Sequence, residues 1–470
     1  MTGPVASVVR ERTRLDMRLV PAAVGSWLIT TLGVLSSIPV AGAAAGTASV
    51  STMILIVVLM RGSRMTLLPM LIGLSGTLAG FGWAMVVRQH HIASNPLAGG
   101  DAQGTKATIT VRIADDPKIV ARTSRVVVAV SVARIRGDAV PEAAATVLAP
   151  MDGWLDLIPG QQVSAVFTVS EPLRPDLTVA TLTTSGTPKV VRGPPVYQRW
   201  AGTVRAQFLQ VSSQALGEPE WGLLPGLVLG DTSALNEDLK DDFRACGLTH
   251  LTAVSGANFA IIIGVLLLML RCGGAGPRVA VALTAIAIVV FVILVRPSPS
   301  VVRAAVMGGV GLSALLMRRR SQAMPALCAA IMALLMIWPA FAVQPGFILS
   351  VIATAGLIVI APVVAQWLRA RRVPAGVAEL LAVAVVAQVV TTPAVLLFSG
   401  QISVVAIVAN LAVALVVAPI TVLGTAAAVV ALVCPPVAVV LARFTGPELW
   451  WMVVVADKLS RVPFATLSLW

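Results

Sequence analysis

Long apolar segments are the feature of this sequence that most constrains its fold. From residue 251 to residue 442 the chain is almost continuously apolar, and one crossing of a bilayer needs about 20 apolar residues. Only 12% of the 470 residues are charged, about half the share of roughly 25% that is typical of soluble proteins. Such a chain cannot cover a water-facing surface. The sequence therefore predicts an integral membrane protein and excludes most soluble enzyme folds.

Basic or Pro/Gly breaks divide this apolar region into roughly seven or eight helices of spanning length. The breaks fall at 271–278, 296–300, 318–322, 338–346, 369–374 and 399–401. Apolar runs at 19–38, 48–60 and 65–87 add roughly two or three helices. We therefore expect a polytopic α-helical membrane protein with about 10–11 transmembrane helices.

Residues 89–200 have a different pattern, in which apolar and polar residues alternate. Stretches such as ATITVRIADD and SRVVVAVSVARI are rich in Val and Thr and are separated by Gly, Pro and Asp. This pattern is typical of short β-strands in a small barrel or sandwich. We predict an OB-like β domain at 89–200, between N-terminal membrane helices at 1–88 and a polytopic membrane domain at 201–446. The tryptophan-rich segment 447–470 is predicted to be an amphipathic helix at the membrane interface.

The net charge of +13 has two readings, a nucleic-acid partner or basic cytoplasmic loops. A topology with the N-terminus inside and the β domain outside places every Arg cluster on the cytoplasmic side. The cytoplasmic segments then hold 14 Arg against Glu11 and Asp16, which leaves 20 basic and 19 acidic residues for the rest of the chain. The charge therefore indicates orientation, and it is not a sign of DNA binding.

Residues of the kind that perform catalysis are sparse. The four cysteines are scattered without a CxxC pair, and neither HExxH nor HxHxDH occurs among the histidines. A zinc site built from this chain is therefore not expected. Glu379 is the single acid inside the late helices, and a membrane enzyme is the least favoured reading. We expect no enzyme activity and no cofactor.

One polar stretch carries a family resemblance. Residues 222–256 read GLLPGLVLGDTSALNEDLKDDFRACGLTHLTAVSG: a Gly-Asp turn, an acidic helix, and Gly-Leu-Thr-His-Leu leading into a membrane helix with an internal Ser-Gly. This order resembles the ComEC family, the competence DNA-uptake channels of bacterial inner membranes. Further matching pieces are PSPSVVRAAVM at 297–307, GFILS at 346–350, the run 388–393 with Phe398, and 407–419 containing Asn410.

Two departures from the family pattern stand out. Family members usually have Ser-Gly-Leu-His-Val where this chain has Ser255-Gly256-Ala257-Asn258-Phe259. Many members also continue into a metallo-β-lactamase-like domain, whereas this sequence stops at Trp470. Any nuclease activity is therefore expected to come from another protein.

The resemblance implies passage of single-stranded DNA across the bacterial cytoplasmic membrane during natural transformation. It implies a multi-pass plasma-membrane protein whose partners are DNA, membrane lipid, a DNA receptor and a cytoplasmic motor, and it leaves a homo-oligomer open. A small-molecule or lipid-linked permease that shares only the membrane fold is the alternative.

A polyanion crossing hydrocarbon needs a polar path, and polar residues inside membranes tend to face such a path. The candidates for its lining or function are Asp231, His250, Ser255, Gly256, Asn258, Arg303, Gln388, Thr391 and Asn410.

Each candidate also has a structural reading. Arg303 holds a phosphate or a helix end, or it snorkels to the interface. Gln388 and Asn410 line the path or join helices, and Thr391, with Thr392, satisfies carbonyls freed by Pro393. His250 is a path residue or an interfacial one.

The segment 230–256 leaves similar alternatives. Ser255-Gly256 permits a discontinuous helix or a close helix crossing. Asp231 lies in a turn that leads to a helix N-cap at Thr232-Ser233. The acidic helix that follows is a solvated face with Leu239 and Phe243 inward, or a gate or docking helix.

The β domain has weak DNA-binding features. Residues 89–200 hold 11 basic and 9 acidic residues, and their Phe, Tyr and Trp residues are Trp154, Phe167, Tyr197 and Trp200. Binding of single strands requires a basic groove with aromatic platforms.

Overall fold

The fold is a set of membrane helices interrupted by one β-barrel. The computed structural model describes residues 15–61, 66–120, 123–173, 176–252, 254–317 and 322–468. Three helices precede the barrel: α1 Val20–Leu35, α2 Ile38–Met60 and α3 Leu68–Ala93. Fourteen follow it in the described part of the chain: α4 Val196–Ala215, α5 Glu220–Leu229, α6 Glu237–Ala245, α7 Thr249–Thr252, α8 Gly256–Cys272, α9 Pro277–Val295, α10 Pro299–Leu316, α11 Ala323–Ile337, α12 Pro345–Val359, α13 Ala361–Ala370, α14 Ala375–Ser399, α15 Ala406–Val430, α16 Pro435–Arg443 and α17 Gly446–Ser460.

Six of the described helices are long and apolar enough to cross a membrane, namely α2, α3, α9, α10, α14 and α15. The pairs α12–α13 and α16–α17 bend by 41° and 46° and raise the number to as many as eight if each pair is one span. The predicted polytopic helical membrane fold is confirmed. The expected total of about 10–11 spans also included α1, α8 and α11, which have only 16, 17 and 15 residues.

The barrel is built from strands whose side chains alternate between its interior and solvent. The strands are β1 Lys106–Ile113, β2 Lys118–Ile119, β3 Arg125–Ile135, β4 Asp138–Pro150, β5 Gln162–Ser170, β6 Thr181–Thr183 and β7 Lys189–Arg192. Five of them close into a ring in the order β1-β3-β4-β6-β5, because β5 also pairs with β1. Only β4 and β6 are parallel within this ring. The small closed barrel predicted from the alternation is therefore confirmed.

Two of the aromatic residues considered for DNA binding fill the barrel interior. Trp154 and Phe167 are fully buried, with ring centroids 5.8 Å apart in an edge-to-face arrangement, and the Trp154 indole N–H donates to the Gly186 carbonyl at 2.9 Å. Tyr197 and Trp200 lie on α4, outside the barrel. The barrel aromatics are core residues, and they are not stacking platforms.

The C-terminal segment differs from the predicted interfacial helix at 447–470. Helix α17 ends at Ser460, and the chain then forms strand β9 (Thr466–Ser468), which pairs with β8 (Gln401–Ser403). The side chains of Leu449 and Met452 on α17 are fully buried in the helical core. The apolar face of α17 therefore packs against the helical core.

The first three helices contact the later ones and help to frame the site. The Trp27 indole N–H on α1 donates to the Ala342 carbonyl at 2.9 Å, and its ring lies 5.4 Å from that of Phe347 on α12. Ala23 and Phe81 share one apolar cluster with residues of α10, α11 and α12. Of the Arg clusters behind the orientation, the N-terminal one up to Arg14 and those at Arg64 and 318–320 lie outside the described residues, and the orientation stays a prediction.

Candidate functional site

A break in the helical backbone lies at the centre of the candidate site. Helix α7 ends at Thr252 and α8 begins at Gly256. Ser255 has extended backbone angles, and its hydroxyl accepts a hydrogen bond from the Asn258 N–H at 3.3 Å. The sequence favours a break here because serine is a preferred N-cap and glycine has low helix propensity. The Ser-Gly pair therefore forms the discontinuous helix that was one of its two readings.

Gly256 also forms the close helix crossing that was its other reading. A Cβ atom at residue 256 would lie 3.1 Å from Arg303 Nη2 and 3.6 Å from the Cβ of Ala304. The absence of a side chain thus lets the guanidinium of α10 approach the first turn of α8. The N-terminal N–H groups of a helix carry partial positive charge. The positive guanidinium of Arg303 therefore lies next to the partially positive N-terminus of α8.

Arg303 is the most unusual residue of the site. Its side chain is buried, with the whole residue only 6% exposed. Its Nε donates to the Ser350 hydroxyl of α12 at 2.9 Å, and its Nη1 lies 3.2 Å from the Met307 sulfur. Among the residues that the structure describes, no carboxylate lies within 4.0 Å of it and Nη2 has no hydrogen-bond acceptor. Arg303 is held inward, which does not fit the snorkelling alternative.

Asn258 positions α8 against α5. It is 4% exposed, and its Nδ2 donates to the Leu227 carbonyl at 3.2 Å, near the C-terminal end of α5. Its Oδ1 accepts from the Ser255 hydroxyl at 3.1 Å. Both polar atoms of the Asn258 amide are therefore hydrogen-bonded within the protein, and these bonds fix the start of α8.

Asp231 lies in the turn after α5, where Gly230 adopts φ +70° and ends that helix. Asp231 Oδ1 accepts from the Ser233 hydroxyl at 2.7 Å, and Oδ2 lies 3.2 Å from Arg205 Nη2. The predicted N-cap at Thr232-Ser233 is wrong. Helix α6 begins three to four residues later, because Asn236 accepts from the Asp238 N–H and caps it.

The acidic helix α6 has the solvated face that was expected. Leu239 and Phe243 are buried, whereas Glu237, Asp238 and Asp241 are exposed. Cys246 follows α6 and donates to the Ala456 carbonyl at 3.3 Å. Burial, together with the negative charge of Asp242, raises the pKa of its thiol to about 11. The thiolate that nucleophilic cysteine chemistry needs is therefore disfavoured.

The remaining predicted residues make bonds close to themselves in sequence. His250 on α7 is exposed, and its Nδ1 lies 3.1 Å from the Gly247 carbonyl. On α14, Thr391 donates to Ala387 at 2.7 Å, and Gln388 Nε2 lies 3.4 Å from the Thr392 hydroxyl. Asn410 on α15 donates to Ala406 at 2.9 Å. Within the described ranges no hydrogen bond joins them to Arg303.

The comparisons with known proteins concern the region that contains this site. Residues 227–470 match the family model for competence proteins. The chain belongs to the competence protein family. All nine predicted site residues lie inside the matched range, whereas the first three helices and the barrel lie outside it.

One curated relative supports this membership. The chain is 26% identical over 210 residues to ComE operon protein 3 of Bacillus subtilis (strain 168), a match that covers 44% of this chain. It covers 26% of that protein, so the chain spans about a quarter of the length of the curated relative it matches. No solved structure matches this competence-family chain.

The structure adds residues that the sequence reasoning did not select. Ser350, which contacts Arg303, was noted only as part of the GFILS motif. Nothing in the neighbouring sequence marks Arg205 or Asp116 as a site residue, because an amphipathic helix and a surface loop commonly contain charged residues. Arg296 precedes a Pro-rich break, and this feature was the one usable signal for it.

Proposed function

We propose that this competence-family protein passes single-stranded DNA across the bacterial cytoplasmic membrane. The observation that carries the proposal is Arg303, a buried cation without a carboxylate partner in the described structure. Burial of an uncompensated charge in a low-dielectric interior costs roughly several kcal/mol. A passing phosphate would offset this cost each time it reached the guanidinium.

The surroundings of Arg303 favour an anion over a neutral solute. The guanidinium lies against the first turn of α8, whose backbone N–H groups favour negative charge. The Ser350 hydroxyl bonds to Arg303 Nε, and the Ser255 hydroxyl caps the first turn of α8. A guanidinium with a helix N-terminus is suited to phosphate oxygens. We therefore assign the phosphate contact to Arg303, with Ser255 and Gly256 shaping its access.

The space between α8 and α9 is too small for a nucleotide in this conformation. The apolar cavity between α8 and α9 measures about 10 Å³ and is lined by residues such as Phe259 and Phe291. A cavity of this size holds at most about one water molecule. Since a nucleotide is far larger, a strand could pass between α8 and α9 only if these two helices moved apart. The break before Gly256 gives α8 a hinge for that movement.

The other partners belong to the same proposal. A DNA receptor outside the membrane and a cytoplasmic motor would supply the strand and pull it inward. Orientation with the N-terminus in the cytoplasm and the barrel outside follows from the distribution of arginines. Two or more copies would provide a wider path than one chain.

Purified protein in liposomes tests the proposal. We expect single-stranded DNA to cross the membrane without any gradient of a small solute. Deletion of the gene in a naturally competent host is expected to abolish transformation while DNA still binds to the cell surface. Solute-coupled transport with no DNA flux would support the permease alternative and contradict the proposal. Unchanged transformation after deletion would contradict it as well.

A further inference from the structure

Four charged side chains meet where the barrel adjoins the helices. Asp116 comes from the loop between β1 and β2, Arg205 from α4, Asp231 from the turn after α5, and Arg296 from the turn after α9. Asp116 Oδ2 lies 3.0 Å from Arg296 Nε and 3.4 Å from Arg205 Nη2, and Asp231 Oδ2 lies 3.2 Å from Arg205 Nη2. The side chains are 10–30% exposed. The cluster is electrically balanced and largely removed from water.

The two arginines also bond to groups of the helical region. Arg205 Nη1 donates to the Leu229 carbonyl at 3.2 Å and to the Leu294 carbonyl at 3.3 Å, near the ends of α5 and α9. Arg296 donates to the Gln198 side-chain oxygen of α4. In the described part of the chain, Asp116 is the one barrel side chain that bonds to them. Arg205 and Arg296 therefore form a binding site on the helical side, and the Asp116 carboxylate occupies this site.

The backbone of Arg296 is strained. This residue has φ +77° and ψ 146°, a region that is almost confined to glycine. A side chain in this region persists only when its surroundings hold it. The contacts to Asp116 and Gln198 do so here. The strain indicates that the position of the guanidinium matters more than relaxed backbone geometry.

Apolar packing does little to join the barrel to the helices. Within the residues described, the apolar core of the barrel shares no buried residue with the two cores of the helical region, although Ile92 of α3 packs against the barrel core. A closer apolar contact at the boundary is that of Gly202 on α4, where a Cβ atom would lie 3.5 Å from Ile158 Cδ1. The ion pairs are thus a major part of the attachment.

We propose that Asp116, Arg205, Asp231 and Arg296 form a joint that sets the position of the barrel over the helical region. The joint also reaches the break in the helix. Asp231 follows Gly230, and a Cβ atom at Gly230 would lie 3.6 Å from Val254 Cγ2, just before α8. The joint is therefore linked to the start of α8 through the turn after α5.

Spin-label distance measurements test the joint. Labels are introduced as noncanonical residues at the exposed positions Val166 on β5 and Asp238 on α6, so the four cysteines are kept. The matched variants are Asp116→Asn and Asp115→Asn. Asp115 pairs with Lys118 within the barrel, and its Oδ1 accepts from the Asp116 N–H, a bond that asparagine can keep; D115N is therefore the control.

The proposal predicts different distance distributions for the variants at Asp116 and at its neighbour Asp115. We expect one narrow distance distribution for the unchanged chain and for D115N, and a distribution about twofold broader for D116N, because the barrel then lacks its ion pairs. Equal widths for D116N and D115N would overturn the proposal. The distances do not depend on whether the protein transports DNA, so this result is separate from the test of function.

A second variant keeps the test decisive if D116N does not fold. Arg296→Gly removes the guanidinium, while glycine adopts φ +77° without strain. This variant is expected to fold and to broaden the distribution, though less than D116N, because Asp116 loses one of its two partners and keeps Arg205. An unchanged width in R296G would also overturn the joint.

Discussion

Buried arginines occur in two regions of this molecule, and their surroundings differ. At the barrel boundary, Arg205 and Arg296 face the carboxylates of Asp116 and Asp231. Among the described residues of the membrane helices, Arg303 faces a hydroxyl, a thioether and a helix N-terminus instead. A paired buried charge ties elements together, whereas an uncompensated one leaves a place for an anion. The comparison teaches that the partners of a buried arginine indicate its role better than burial does.

Replacement of Arg303 by glutamine is the strongest test of this difference. We expect Arg303→Gln to lower transformation about 100-fold, equivalent to ~3 kcal/mol of lost anion stabilisation. The melting temperature in detergent should stay the same or rise, because removal of an uncompensated buried charge is not destabilising. Arg278→Gln, at an exposed arginine of α9, serves as the control. Unfolding of R303Q at lower temperature would make Arg303 a structural residue.

Asp231→Asn should give the opposite result. Loss of this carboxylate leaves Arg205 with Asp116 as its one remaining acid in the described structure, and we expect unfolding to become easier by about 2 kcal/mol. Thermal unfolding of the purified protein measures this. Asp241→Asn is the control, since its pair with Arg244 is exposed and worth roughly 0–1 kcal/mol. Equal stability of D231N and D241N would remove the contrast with Arg303.

A methyl group at Gly256 tests the approach of Arg303 to α8. The added Cβ would lie 3.1 Å from Arg303 Nη2, so the guanidinium has to shift by a few tenths of an ångström. We expect Gly256→Ala to reduce DNA flux in liposomes about tenfold, or ~1.4 kcal/mol, with little change in stability. Gly264→Ala on the same helix meets no atom within 4 Å and should leave the flux unchanged. Equal flux in the two variants would contradict this role of Gly256.

A smaller effect is expected at Asn258, where the test is whether this residue positions α8 against α5. Its replacement by alanine removes the donor to the Leu227 carbonyl and should lower stability by about 1 kcal/mol. A stability of N258A equal to that of the unchanged protein would mean that the tie to α5 is dispensable.

Thr391→Val should have the smallest effect. The Thr391 hydroxyl bonds only within its own helix among the described residues, and such bonds in membranes contribute about 0.6 kcal/mol on average. Transformation is therefore expected to stay within about twofold of the unchanged protein. A tenfold loss of transformation would instead place Thr391 on the path of the DNA.

Local patterns in the sequence were sufficient for the architecture. Apolar runs predicted the membrane helices, and alternation over 106–113 and 125–135 predicted barrel strands, because hydropathy and periodicity are properties of neighbouring residues. The number of spans was less predictable. Helix α11 fills the 15 residues between its two breaks, and α1 ends at Leu35, before the end of the apolar run 19–38.

The candidate site was predictable in part. Ser255, Gly256, Asn258 and Arg303 were selected as polar or helix-breaking residues in apolar segments, and the structure brings them together. Asp231 was selected as well, but its partner Arg205 was not.

By itself, the sequence determined the membrane class, the barrel and the 222–256 signature that resembles one family. The tertiary structure alone decided which polar groups meet. Asp116 and Arg296 are 180 positions apart, and no local pattern relates them. Whether Arg303 faces protein or lipid is likewise decided by the helices around it. Burial and pairing depend on the packing of distant segments, so they are read only from the folded chain.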